Sequence, residues 1–170
     1  MSNNRNNESY HSVLREQIVE HAFVTELLKS LWRKEIFDIE ILRSEFDRGG
    51  YDLVVASGGV IRHVQLKVSK PDGKRKKFNV SLDLAKKPSG CVLVILVNHA
   101  LDAEGYLWFG GSPNLPLTDI GSFKPAKHTK GDSEGKKAER PNLRLIPINK
   151  FTKLKTFDDV LKMLFDIDAT

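Results

Sequence analysis

Asp52-Leu53-Val54-Val55-Ala56-Ser57-Gly58-Gly59-Val60-Ile61-Arg62-His63-Val64-Gln65-Leu66-Lys67-Val68 is the stretch on which the fold turns. Leu53 to Ala56 is a short apolar run rich in β-branched residues. Gly58-Gly59 is a two-residue turn signal, and Val60 to Val68 alternates apolar and polar side chains. Together they predict a β-hairpin. If Gly58 and Gly59 form the turn, Ser57 faces Val60, and counting back places Asp52 opposite Gln65 on one face. Lys67, two residues further on, shares that face. Val60, Val64, Leu66 and Val68 make the other face apolar, with Arg62 as its exception.

The flanking residues extend this into an α/β domain. Apolar residues from Ser12 to Lys34 recur at helical spacing, and the stripe Val13, Gln17, Glu20, Val24, Leu27 and Leu31 is expected to face the core. Ile36 to Leu42 reads as a short strand and Glu45 to Gly50 as a turn. After the hairpin come a basic loop over 69–77 and a short helix over Asn79–Lys87, ended by Pro88 and Gly90. Cys91 to Val97 is continuously apolar, as expected of a strand buried on both faces. Tyr106 to Phe109 and Leu143 to Ile148 read as further strands, separated by a long polar connection over Gly110–Pro141. Thr156 and Asp159 form a capping-box pattern ahead of a last amphipathic helix. The expected architecture is a single domain over 9–170, with a mixed central β-sheet flanked by helices, preceded by a disordered tail over 1–8.

Composition narrows the function. The chain has 170 residues, a net charge of +5 and one cysteine, Cys91. A single cysteine excludes an internal disulfide and an all-cysteine zinc site, and a cytoplasmic, reducing compartment is the simplest reading. No apolar run approaches the roughly 20 residues of a membrane-spanning helix, so no membrane role is expected. The charge is unevenly placed. Glu8 to Asp52 carries ten acids against six bases, whereas Arg62–Lys87 and Lys124–Lys155 each carry a net +7. Two basic stretches of this kind suit a polyanionic partner, and equally suit solvated lysines that aid solubility.

The chemistry gathers on the hairpin. A carboxylate (Asp52), an amide oxygen (Gln65) and an ammonium (Lys67) converge on one patch. Oxygen donors suit a hard cation such as Mg²⁺, and a lysine beside them suits a phosphate. Glu20 sits on the helix stripe expected to face the core, where an unpaired charge is costly. Its partner is either an arginine or a metal shared with Asp52.

Glu20, Gly50-Tyr51-Asp52-Leu53-Val54-Val55 and Gln65-Leu66-Lys67 resemble the PD-(D/E)XK nuclease superfamily, over roughly residues 12–97. The resemblance implies a restriction-endonuclease-like core and phosphodiester hydrolysis with Mg²⁺ or Mn²⁺. It implies that Glu20, Asp52 and Gln65 hold the metal and that Lys67 aids the nucleophile or the charged transition state. The Glu20 match is to the helix glutamate of Holliday-junction resolvase-like members. Two positions depart from the pattern: Tyr51 stands where a proline is common, and Gln65 where an acid is usual.

On this reading the chain is a DNA endonuclease. Lys70, Lys74, Arg75, Lys76 and Lys77 lie near the site, and Lys127, Lys130 and Arg140 close over nucleic acid. DNA is favoured over RNA, and a homodimer is an open possibility. Phosphate contacts of this kind give affinity without sequence readout. Two rival readings remain: a nuclease-like binding module that has lost catalysis at Gln65, and a small α/β protein with no nucleic-acid role. His63 flanks the predicted patch. Trp108 and Phe109 read as core, and Cys91 as a buried small hydrophobe.

Overall fold

Gly58 and Gly59 have φ of 58° and 77°, the left-handed pair that a tight hairpin turn requires and that glycine adopts without strain. The structure is a computed structural model that describes residues 3–46, 48–128, 135 and 137–168, with side chains from residue 11 onward. The turn joins β2 (Leu53–Ser57) to β3 (Val60–Ser69) in the expected register, Ser57 opposite Val60 and Leu53 opposite Val64. Asp38 clamps it from outside: its carboxylate accepts from Ser57 Oγ at 2.9 Å and from the Gly58 N–H at 2.7 Å. These two bonds, the Gly58 bond foremost, hold its pKa below the usual carboxylate value.

The chain runs α1 (Asn3–Arg33), β1 (Glu40–Arg43), β2, β3, β4 (Lys77–Ser81), α2 (Leu82–Ala85), β5 (Gly90–Val97), β6 (Ala103–Gly110), β7 (Pro125–Lys127), β8 (Glu139–Pro147), β9 (Thr152–Leu154) and α3 (Phe157–Phe165). It forms one mixed α/β domain. A six-stranded sheet has the order β1-β2-β3-β5-β6-β9, antiparallel except for the parallel pair β3–β5. A second, antiparallel sheet has the order β4-β8-β7.

β5 lies between two cores because strand side chains alternate. Cys91, Leu93 and Ile95 pack with Val19, Phe23, Leu27 and Leu31 of α1 and with Leu161 and Leu164 of α3. Val92 and Val94 pack the opposite way, with Phe78, Val80 and Ile146 of the second sheet. The expected two-face burial of Cys91–Val97 is thus realised, with one face against helices and the other against a second sheet.

Arg62, the exception on the apolar face, is fully buried. Its guanidinium lies over the Trp108 ring, 5.3 Å from the centroid. It donates to the carbonyls of Leu164 at 2.9 Å, Met163 at 2.6 Å and Gly111 at 3.0 Å, and to Ser89 Oγ at 3.3 Å. The last carbonyls of a helix lack intrahelical donors. Arg62 supplies them from the middle of the sheet, so α3 is tied to β3 by a cation. Burial lowers the guanidinium pKa, yet arginine keeps its charge.

Several local expectations change. Residues 3–8, expected as a tail, belong to α1. The buried stripe of α1 is Val19, Phe23, Leu27, Ser30 and Leu31, while Val13 and Gln17 are exposed. Asn79–Lys87 is not one helix: its first residues extend into β4, because Phe78 and Val80 alternate into the second core. Ser81 then caps the single turn α2 by accepting from the Asp83 N–H. The long connection carries β7, β8 begins at Glu139 and β9 was not expected. The capping box at Thr156 and Asp159 is present. Among the described residues no helix is long and apolar enough to cross a membrane.

Arg62→Ala leaves three carbonyls short of a donor and opens space beside Trp108. It is expected to lower the free energy of unfolding by about 3 kcal/mol or more. Arg62→Lys should recover only part of this, since an ammonium lacks the planar fork. Urea denaturation measures both, and a loss below about 1 kcal/mol for the alanine variant would refute the tie.

Candidate active site

β3 is longer than β2. Their ladder ends at Leu53 and Val64 with the bond from the Asp52 N–H to the Val64 carbonyl, 2.9 Å. Beyond it β3 continues through Gln65–Ser69, paired with β5 on one side only. The Asp52 carboxylate turns onto this open edge, and its Oδ2 accepts the Leu66 N–H at 2.7 Å. The site therefore begins as a solution to an unfinished sheet edge: a side chain takes the first N–H that the partner strand no longer reaches.

The notch gives access from both faces of the sheet. Leu66 and Val68 pack toward the helix core, and Gln65 and Lys67 point the other way. One cleft of about 380 Å³ is lined by Asp52, Gln65, Lys67 and Arg75, and by Glu16 and Glu20 from α1. A second, of about 490 Å³, opens between β3 and the second sheet, lined by Gln65, Lys67, Arg48, His128 and Arg140. Gln65 and Lys67 line both clefts and so stand where the two meet. Gln65 is 8% exposed, and its Oε1 is buried with no hydrogen-bond partner among the described residues.

Glu20 is held differently from Asp52. It does not sit on the buried stripe of α1 but at its edge, where its carboxylate accepts from Arg43 Nε at 2.8 Å. The arginine alternative for its partner is the one observed, within a cleft that also contains Asp52. Among the described residues, no group of three or more His, Cys, Asp and Glu gathers as a metal cluster.

The basic residues divide by position. Arg75 reaches the first cleft, with its guanidinium 5.5 Å from the Phe78 ring centroid. Lys70 and Lys74 line a neighbouring hollow with Arg15. Lys76 and Lys77 are exposed, Lys77 opening β4, and Lys127 is exposed in β7. Arg140 lines the second cleft, and Lys130 lies outside the described residues. Arg48 was missed from sequence. It lies in an acidic stretch, and only the approach of the loop before β2 to the second sheet brings it to the cleft. Gly50 permits that approach: its φ is 71°, and a Cβ there would stand 2.4 Å from Ser81 Cβ.

His63, on the same face as Gln65, packs edge-on to Tyr51 at 5.1 Å, and its Nδ1 is buried without a partner among the described residues. Burial, and secondarily the charge of Lys87, lowers its pKa below 6.5. The unfolded chain therefore binds this proton more readily than the folded one. The contribution of this group to stability is complete above about pH 6.5 and is lost as pH falls through its lowered pKa. We expect the His63 ring resonances to titrate below pH 6.5 by NMR and His63→Gln to reduce the acid-side loss of stability. Titration at or above 6.5 would refute the buried assignment.

Comparison of the chain with protein-family models and with curated proteins gives no match, so the reading of this site rests on its own residues.

Proposed function

We propose that this protein is a metal-dependent nuclease that hydrolyses phosphodiester bonds in DNA, with a restriction-endonuclease-like core of the PD-(D/E)XK kind. The observation that carries the reading is the meeting of Asp52, Gln65 and Lys67 with Glu20 in one cleft, at the open end of β3. Gln65 Oε1 suits that cleft to a cation: it is a buried acceptor that lacks a donor among the described residues. Asp52, Gln65 and Glu20 form an all-oxygen donor set, the kind that Mg²⁺ and Mn²⁺ take. Such an ion, when bound, supplies Lewis-acid stabilisation and a nucleophile at neutral pH.

The chain's own groups do the rest. Asp52 is oriented by its bond to the Leu66 N–H, so its carboxylate enters the cleft in a set position. Lys67 places a positive charge where a phosphate gathers negative charge in the transition state. Arg75 on one side and Arg48 and Arg140 on the other suit the flanking phosphates of a strand that crosses Gln65 and Lys67. Glu20 becomes a ligand only by leaving Arg43. That ion pair, with a glutamine in place of an acid at position 65, favours the second reading: a nucleic-acid-binding module of the same shape without catalysis.

Cleavage of plasmid and of short branched DNA with Mg²⁺ or Mn²⁺ separates the two. Asp52→Asn keeps an acceptor for the Leu66 N–H and removes the charge; it should abolish cleavage and spare most DNA binding. Lys67→Ala should slow cleavage by about 10²–10³-fold. Gln65→Glu should tighten metal binding in the free protein, because each added ligand charge favours a hard cation. DNA binding without cleavage by the wild type and by Gln65→Glu, with either metal, would leave the binding module as the function.

The basic loop has its own test. Neutralising Lys74, Arg75, Lys76 and Lys77 together should weaken DNA binding for all sequences. It should also flatten the log–log salt slope by about 0.9 for each phosphate that the loop no longer neutralises. An unchanged slope would place that loop away from the interface.

A further inference from the structure

α1 is apolar on two opposite sides. Its buried stripe, Val19, Phe23, Leu27 and Leu31, covers the sheet. At 100° per residue, a second stripe lies roughly 180° away: Leu14, Ile18, His21, Thr25, Leu28 and Trp32. All six are exposed, among them Leu14 at 54% and Trp32 at 70%. Phe37 stacks edge-on against Trp32 with ring centroids 5.1 Å apart and extends the patch. A helix facing water on its outer side is normally polar there.

We propose that this outer stripe is the seam of a parallel, two-stranded coiled coil between two copies of this chain. The steps between its residues are four, three, four, three and four, the unbroken heptad alternation that keeps a seam against another helix. The occupant follows from which residues stand where. Ile18, Thr25 and Trp32 occupy one of the two alternating positions, and Leu14, His21 and Leu28 the other. β-Branched Ile18 and Thr25 in the first set, with Leu14 and Leu28 in the second, favour parallel pairs. The polar layers at His21 and Thr25 fix the register.

Charge selects the same orientation. Arg15 and Lys29 flank one side of the seam, and Gln17 and Val24 the other. Parallel pairing sets the basic flank against the neutral flank of the second copy, whereas antiparallel pairing sets Arg15 near Lys29. The area suits a weak, micromolar pair. At 150–250 Å² for a large aromatic side chain, Trp32 and Phe37 leave roughly 300 Å² uncovered per copy, and the aliphatic residues raise this to about 500 Å². Two copies with their flanking side chains approach the roughly 1,200 Å² at which specific interfaces begin. Glu20 lies about 120° round the helix from the seam, so pairing leaves the cleft open. The inference is independent of the reading of that cleft.

Sedimentation equilibrium of the full chain at about 50 µM, above a micromolar Kd, should give twice the chain mass. Leu14→Glu with Leu28→Glu should weaken association by about 100-fold or more, while leaving the fold intact because both side chains are exposed. Thr25→Cys gives a second reading, since facing residues of a parallel pair come within disulfide reach. Mild oxidation should link it into a covalent dimer. Cys91 does not compete, because it is buried and burial pushes its thiol up to about 12. A monomer at that concentration would assign the seam to a helix of another protein and overturn the proposal. So would a dimer that survives the double substitution, or one in which Thr25→Cys stays unlinked.

Discussion

The structure depends on a mismatch in strand length. β3 extends five residues past the point where β2 stops pairing, and an unpaired strand edge inside a domain must be satisfied by something else. Asp52 does this from the residue just before β2, binding the Leu66 N–H. The same act plants a carboxylate beside Gln65 and Lys67. The notch left by β2 admits α1 from one face of the sheet and the second sheet from the other, which is why clefts form there on both sides of β3.

Keeping that notch open requires rigid surroundings. β5 is held between two cores and fixes the other edge of β3 along His63–Ser69. Arg62 fastens α3 to the sheet by donating to its last carbonyls, while Asp38 locks the hairpin turn at the opposite end of β3. Gly50 lets the preceding loop approach Ser81 closely enough for Arg48 to reach the second cleft. These are polar or backbone devices within an otherwise apolar frame. Each acts at one end of an element, where hydrogen-bonding groups are left over.

Electrostatics follow from the assembly. α1 supplies Glu16 and Glu20 to one wall of the first cleft. The loop after β3 contributes Arg75 to it, and β8 contributes Arg140 to the second cleft. Carboxylates and guanidiniums from distant parts of the chain thus meet across the open end of β3. Such a place suits a phosphate and a cation together, since each offsets the charge of the other.

The local features were legible in the sequence. The Gly58-Gly59 turn, the register that sets Ser57 opposite Val60, the two-face burial of Cys91–Val97 and the capping box at Thr156 depend on neighbours in the chain or on side-chain alternation. These are short-range constraints, and residue type alone expresses them. The separate second sheet, the partner of Glu20, the burial of Arg62 and the arrival of Arg48 at the cleft were decided only by tertiary structure. The β4 residues read as helix because their strand pattern is short and precedes a true helical turn; what makes them a strand is pairing with β8, more than sixty residues on. Arg62 looked like an exception on an apolar face because the carbonyls that justify it belong to α3, about a hundred residues away. Long-range pairing leaves little local trace, so the sequence marked the chemical groups while the fold chose their partners.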